Sequence, residues 1–353
     1  MNPARRIAIA MSGGVDSSVA AALLHETGED VFGLMLRLSD GASGHANRCC
    51  APEAIAAARA VAGQLGFPFY VVDAREAFEA SVILPFICGY VQGITPNPCI
   101  ECNRAIRWGT LLAHALAIGA THLATGHYAR IDSANGTFRL RAGVDRRKDQ
   151  SYVLHVLSQE QLAHAVFPLG ELTKDQVRGH ARRLHLPVAD RPESQDLCFA
   201  QGNYQSFLVA RGISAAPGPI LDQEGNPLGQ HSGLTGYTLG QRKGLRIAGS
   251  EALYVLEKDA GRNTLTVGPR GAVGRQQFAV DRVNWIAGAP PSIPFEADVQ
   301  VRYHAPRIRG HIRCTGDQSA QVILECRQPD VAPGQSAVFY IDDACLGGGI
   351  IQP

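Results

Sequence analysis

The chain has 353 residues, 45% of them hydrophobic and 18% charged, with 33 Lys and Arg against 32 Asp and Glu. That length predicts two or three domains with real cores, and the composition excludes a disordered, collagenous or membrane-spanning chain. Near-neutral charge excludes a globally basic nucleic-acid binder, so any RNA surface must be local.

The amino terminus leads straight into a short apolar stretch that breaks at Ser12-Gly13-Gly14, too early and too polar for a secretion signal. A cytoplasmic protein is expected, a monomer away from membranes. Its nine cysteines are then no disulfide framework; they are buried small hydrophobes, metal ligands or catalytic thiols.

Residues 7–10 predict a strand and 15–24 a helix with Val19 and Leu23 on one face. Gly28 closes that unit, and 31–36 reads as the next buried strand. Pro52 opens a helix to residue 65, Gly66 stops it, and 69–72 is a third strand. Trp108, Leu111, Leu112, Ala115 and Leu116 recur at helical spacing before a fourth strand over 121–124. Such alternation predicts an α/β fold, a doubly wound parallel sheet with helices on both faces. Thr173-Lys174-Asp175-Gln176 is a capping box opening a helix to residue 184. From 212 to 249 glycine and proline are dense while apolar residues continue, which predicts a small β-rich module. Short strands over 278–286, 296–303, 307–314, 321–326 and 337–341 predict an antiparallel β-barrel. The expected division is 1–200, 201–273 and 274–353.

Met11-Ser12-Gly13-Gly14-Val15-Asp16-Ser17-Ser18 follows a strand and opens a helix. Two glycines let the backbone approach a ligand, and the serine hydroxyls with the helix N-terminus complete an anion cradle. The glycine spacing is not that of a Walker loop, and no Lys-Ser/Thr pair follows. The string resembles the ATP loop of the adenylating HUP superfamily, which cleaves ATP between the α and β phosphates. That resemblance implies ATP contacts along Ala10, Met11, Ser12, Gly13, Gly14, Val15, Asp16 and Ser17, with Leu36 and Gly126 near adenine and ribose. It gives Asp16 a part in holding Mg²⁺ and pyrophosphate; Mg²⁺ is also expected because a triphosphate needs charge neutralisation.

Two thiols stand out by their polar surroundings. Cys102 precedes the helix carrying Trp108, and a thiol at a helix N-terminus beside Arg104 has its thiolate favoured. Cys198 lies in the polar segment Glu193-Ser194-Gln195-Asp196-Leu197-Cys198-Phe199. Cys99 and Cys102 form a C-x-x-C pair, but zinc usually needs a second pair, and Cys49-Cys50 is adjacent rather than spaced. Cys99, Cys102 and Cys198 could instead hold an iron–sulfur cluster with one open iron. Cys88, Cys314, Cys326 and Cys345 lie in apolar or strand-like stretches and read as structural.

Further strings occur in order: Thr95-Pro96-Asn97-Pro98, Cys102-Asn103, Ala124-Thr125-Gly126-His127-Tyr128-Ala129-Arg130, Lys148-Asp149-Gln150-Ser151-Tyr152, and Ser194-Gln195-Asp196 before Cys198-Phe199. Gly233, Gly236, Gly240-Gln241-Arg242 and Gly244 follow, then Cys345-Leu346-Gly347-Gly348-Gly349. Together they resemble the tRNA-specific 2-thiouridylases, which replace the C2 oxygen of a wobble uridine with sulfur. The resemblance implies that Cys198 takes a persulfide sulfur from a donor of the cysteine desulfurase system. ATP adenylates the uridine oxygen, and Cys102 attacks the persulfide, ending in a disulfide with Cys198. The usual acceptors are tRNAs for Lys, Glu and Gln. Asn97, Pro98 and Cys99 match positions near the target base, and His127, Lys148, Asp149, Gln150, Arg302, Tyr303 and Gln335 match tRNA-contacting ones. The chain departs from the pattern at Cys99, where some members carry an aspartate given a general-base role, so either that role is dispensable or another group or water fills it.

The run from Arg302 to Arg313 holds four arginines, two histidines and no acid, and Arg141, Arg146, Arg147 and Lys148 form a second cluster. Such runs suit phosphate contact and base stacking on a single-stranded loop, or else a solvated strand face. Two rivals remain: an amide- or guanidine-forming adenylating ligase with no use for paired thiols, and an RNA-binding protein with a relic nucleotide site.

Overall fold

A computed structural model describes residues 5–39, 51–192, 197–200, 204–213, 216–247, 251–329 and 331–353. Cys49, Cys50 and the segment Glu193-Ser194-Gln195-Asp196 lie outside the described residues.

The first module is a five-stranded parallel sheet in the spatial order Phe69–Asp73, Asp30–Arg37, Arg6–Ala10, His122–Thr125, Ala165–Val166. The central strand alternates between two cores. Ile7 and Ile9 pack with Val19, Ala58, Val61 and Val177 on one face, while Ala8 packs with Trp108, Leu111, Leu112 and Ala115 on the other. Helices thus cover both faces, which is the expected doubly wound arrangement. Chain order reverses between Arg6–Ala10 and His122–Thr125. In open parallel sheets a ligand crevice lies beyond the carboxyl ends of the strands at such a reversal. Here that place falls at Ala10 and Thr125.

Two parts of this module were not foreseen. Helical turns occupy Arg75–Phe78, Glu79–Ile83 and Leu84–Val91. They carry Phe78, Val82, Ile83 and Phe86 into a third apolar cluster with Phe199, Phe207 and Leu208. A hairpin, Ala129–Ala134 with Thr137–Ala142, leaves the parallel sheet altogether. It pairs instead with the terminal strand Ala344–Ile351, Ala344 opposite Arg141 and Cys345 opposite Leu140.

The central module is a four-stranded sheet of Gly218–Leu221, Pro227–His231, Leu253–Asp259 and Thr264–Pro269, around Ile220, Val255, Leu265 and Val267. The last module is an antiparallel barrel of Arg275–Trp285, Phe295–Gln300, Ile308–Gly316, Ser319–Gln328, Ser336–Ile341 and Ala344–Ile351. Pairing of its first strand with its last closes it. Its core is Phe278, Val280, Val299, Ile312, Val322, Leu324 and Phe339. The sixth strand escaped the sequence reading because its glycine run lacks β propensity; those glycines sit where a Cβ would strike neighbouring backbone.

Candidate active site

The loop after Arg6–Ala10 is built from its backbone outward. Met11 N–H donates to Leu34 carbonyl at 2.8 Å, so the strand stays in register to its end. The chain then turns at Gly13 with φ +71, where a Cβ would collide with the Ala54 carbonyl. Gly14 is the extended N-cap of the helix Val15–Glu26, and no described side chain caps it. Its first N–H groups are therefore available to an anion. Ser17 Oγ accepts from Ser12 N–H at 3.1 Å and lies 3.2 Å from Ser12 Oγ, while Ser18 Oγ donates to Gly14 carbonyl at 2.9 Å. The buried Ser17 and Ser18 hydroxyls thus hold the loop from within, and Ser12 stands at its rim. Arg191 Nη1 braces the loop from outside through Gly13 carbonyl at 2.7 Å. Gly126 closes over the helix start so tightly that a Cβ would come within 2.8 Å of Ser17 N. Ala10 through Ser17 and Gly126 therefore meet at the strand-order reversal, and half-buried Leu36 ends the neighbouring strand.

Sequence reading missed the partner of Asp16. Lys174 Nζ lies 2.7 and 2.8 Å from the two carboxylate oxygens, and the Tyr128 hydroxyl donates to Oδ1 at 2.8 Å. Lys174 is only 8% exposed, and its N–H donates to Asp145 Oδ2 at 2.9 Å. Its position carried a signal. Lys174 is the first residue of the helix Lys174–Arg183, where the helix dipole disfavours a cation unless an acid holds it.

The thiol segment begins earlier than expected. Asn97 caps a helix at Pro98–Glu101, its Oδ1 accepting from Cys99 N–H at 3.1 Å and Ile100 N–H at 3.4 Å, with Pro98 in the first turn. The helix continues as a π-helical stretch over Cys102–Leu111 that buries Ile106 and Trp108. The first-turn thiol is therefore Cys99, which is exposed, whereas Cys102 sits a turn further in and half-buried. Arg104 is 3.6 Å from Glu101, an engagement the sequence reading did not foresee, and its burial lowers its pKa. Asn103 Nδ2 donates to Cys99 carbonyl at 3.1 Å.

Cys198 follows the same logic from the other side. Its neighbour Phe199 is wedged edge-on between Phe86 at 5.2 Å and Phe207 at 5.1 Å. Cys198 and Cys102 both pack on the rim of this one aromatic cluster, and so does Leu36. Two thiols distant in sequence thus border one apolar cluster. Among the described residues no three His, Cys, Asp or Glu side chains gather to hold a metal ion. Of the cysteines read as structural, Cys345 is buried, and that burial pushes its thiol up to about 12. Cys314 is half-buried, whereas Cys88 and Cys326 are exposed.

The residues matched to RNA contact divide into two sets. Lys148, Arg302 and Tyr303 reach the surface, as do Asn97 and Cys99 at the helix start. Asp149 points inward: its carboxylate accepts from Gly143 N–H, Ser151 N–H and Ser151 Oγ, and pairs with Arg307 at 3.1 Å. Gln150 exchanges hydrogen bonds with the Tyr128 backbone. The buried Gln335 donates to Thr95 carbonyl at 2.8 Å. The long basic run is also less basic than it reads. Arg307 lies 3.4 Å over the Tyr340 ring, and Arg309 and His311 face Glu296 of the adjacent strand at 3.0 and 3.5 Å. That acid comes from the neighbouring barrel strand, where no reading of the run alone finds it.

His127 is buried, with Nδ1 2.7 Å from Thr125 Oγ1, and burial lowers its pKa to about 3. Burial likewise lowers His155 to about 4, with Nδ1 on Tyr152 carbonyl at 2.7 Å. Each ring is neutral in the fold and takes a proton on unfolding. Their stabilising effect is complete above about pH 6.5 and drains away as pH falls towards those folded values. Each histidine should cost about 1.4 kcal/mol per pH unit below 6.5. Thermal melting between pH 7 and 5 should show this slope, and His155→Gln should flatten it; an unchanged slope would refute the assignment to His155.

Sequence comparisons place the chain. The family described as "tRNA methyl transferase HUP domain" matches residues 5–202. Those described as "tRNA methyl transferase PRC-barrel domain" and "Aminomethyltransferase beta-barrel domain" match residues 205–269 and 275–351. The chain is 47% identical over 350 residues to the tRNA-specific 2-thiouridylase MnmA of Chloroflexus aggregans, covering 98% of each. It is 45% identical over 357 residues to that of Magnetococcus marinus, covering 99% of this chain and 100% of the other. With that of Roseiflexus castenholzii it shares 44% identity over 366 residues, covering 98% and 99%. Agreement of this depth along almost all of both chains makes the protein a member of the tRNA-specific 2-thiouridylase family.

Proposed function

We propose that this protein uses ATP to replace the C2 oxygen of a tRNA wobble uridine with sulfur carried by Cys198 and released by Cys102. The observation that carries the reading is the meeting of both thiols on one aromatic cluster, shared with Leu36 at the end of a nucleotide-site strand. A superfamily ligase forming amides would need the loop but not this pair.

The chemistry follows from the groups present. The uridine C2 oxygen attacks the α-phosphorus of ATP as the N3 proton is lost, and pyrophosphate leaves. Oxygen, a poor leaving group, departs as AMP when the terminal sulfur of a Cys198 persulfide attacks C2. Cys102 thiolate then attacks the Cys198 sulfur, as in thiol–disulfide exchange. The electron pair of the broken S–S bond remains on the sulfur now attached to C2. A Cys102–Cys198 disulfide remains, to be reduced by an external thiol. The persulfide comes from a relay protein of the cysteine desulfurase type, and the acceptors are tRNAs for Lys, Glu and Gln. Reaching C2 requires the anticodon base to be splayed into the pocket, with Asn97, Pro98 and Cys99 nearest it.

The helix N-terminus at Gly14 supports the pyrophosphate end of ATP, and Lys174 is the cation nearest the loop's own acid. No three metal-ligating side chains converge among the described residues, so Mg²⁺ fits as the triphosphate's counter-ion with Asp16 as protein ligand. When bound it neutralises charge on the leaving pyrophosphate.

One reaction tests the reading: purified protein, unmodified tRNA, ATP and a persulfide donor, assayed for 2-thiouridine, AMP and pyrophosphate. All three should appear together and only with ATP. Thiolation without ATP, or AMP formation on a small amine acceptor in place of tRNA, would overturn it.

A further inference from the structure

The helix bearing Cys99 and Cys102 belongs to the parallel-sheet module, yet its entry is set by the barrel. Thr95 lies two residues before the cap Asn97, and both its backbone groups are taken by one barrel loop. Thr95 N–H donates to Pro333 carbonyl at 2.9 Å, and Gln335 Nε2 donates to Thr95 carbonyl at 2.8 Å. Between these two residues Gly334, at φ +88, packs so closely that a Cβ would come within 3.0 Å of the Thr95 backbone.

This loop is itself held. Gly334 N–H donates to Ile351 carbonyl at 2.9 Å, Ile351 N–H to Gln335 carbonyl at 2.8 Å, and Gln335 N–H to Ala332 carbonyl at 3.1 Å. Gln335 is 9% exposed. Its amide is therefore aimed and occupied before any RNA arrives. A second barrel contact reaches the same helix, Arg282 standing 3.7 Å from Glu101. Arg282 has φ +52 within an irregular stretch of the strand Arg275–Trp285, a conformation an arginine adopts at a cost.

We propose that Gln335 is a positioning residue for the thiol helix: through Thr95 it fixes the Asn97 cap and hence the placement of Cys99 and Cys102. Its role in catalysis rests on the function proposed above, whereas its role in placing the helix does not. A misplacement of about 1 Å at reacting atoms can lower turnover about a hundredfold. The Gln335 amide thus bears on sulfur transfer although it touches neither thiol.

The test uses Gln335→Glu, which keeps size but removes the donor, beside Gln335→Ala, with the full chain and no tRNA for the first readouts. Amide exchange at Cys99 and Ile100 should quicken about fivefold or more, since the cap loosens. The alkylation rates of Cys99 and Cys102 by iodoacetamide should change in both variants, read well below their melting temperatures, which should fall because a buried donor is lost or a buried charge put in its place. In the thiolation assay kcat should fall about tenfold or more, with tRNA affinity within about threefold of wild type. Unchanged exchange and alkylation would overturn the proposal, and so would a tenfold loss of tRNA affinity at unaltered kcat, which would mark a direct RNA contact. Wild-type protein inert in thiolation would refute the proposed function alone, because the tRNA-free readouts still decide the role of Gln335.

Discussion

Lys174→Met is expected to slow ATP-dependent turnover about a hundredfold or more, with ATP–pyrophosphate exchange falling in parallel. Lys174 is the ammonium that holds both oxygens of Asp16 at the loop proposed to take the triphosphate. Without it Asp16 keeps only the Tyr128 hydroxyl among these two partners, and its negative charge faces the incoming phosphates. Removing one member of a buried pair costs about 3–5 kcal/mol. Side-chain exposure is 10% for Lys174 but 32% for Asp16, so solvent screens part of this and the lower end applies. Asp16→Asn in the same background should not restore exchange, because the carboxylate proposed to hold Mg²⁺ goes with the charge. Exchange within about threefold of wild type in Lys174→Met would remove Lys174 from the nucleotide site.

The thiols should separate by step. With a persulfide donor, Cys198→Ala should lower 2-thiouridine formation on the order of a thousandfold, while adenylation of tRNA continues. Cys102→Ala should stop later, leaving tRNA joined to Cys198 through sulfur in an adduct that a denaturing gel detects and added thiol dissolves. Free sulfide can bypass Cys198, so the donor must be controlled. Cys198→Ala protein that still thiolates from a persulfide donor would sink the relay. So would a Cys102→Ala protein of wild-type rate, since nothing would then require a second thiol.

What could be read from sequence was local. The strand, two glycines and helix of the loop lie within one short stretch, whereas Gly126 was tied to the site by the family resemblance alone and meets Ser17 only in the fold. The cap Asn97-Pro98 was equally local, yet the sequence alone reads Cys102 as lying just before the helix that carries Trp108. The cap signal was present and the apolar periodicity outweighed it. What escaped was pairing across distance. Lys174 and Asp16 are separated by 158 positions, and Glu296 meets Arg309 only because two barrel strands lie side by side. Burial was not legible either: Asp149 pairs with Arg307, and Gln335 donates to Thr95, across modules that lie far apart in the chain.

The hairpin that leaves the parallel sheet has a consequence for how the molecule is made. Its outer strand finishes its pairing only with Ala344–Ile351, and Arg130 and Arg141 both find Asp343, at 2.5 Å each. A nascent chain emerging from the ribosome therefore carries an unfinished sheet edge until this strand is synthesised, with Arg141 held by Asp132 and Arg130 by Glu171 but both short of Asp343. The hairpin of the first module thus completes its pairing last, and truncation at the carboxyl terminus exposes a sheet edge near the beginning of the molecule.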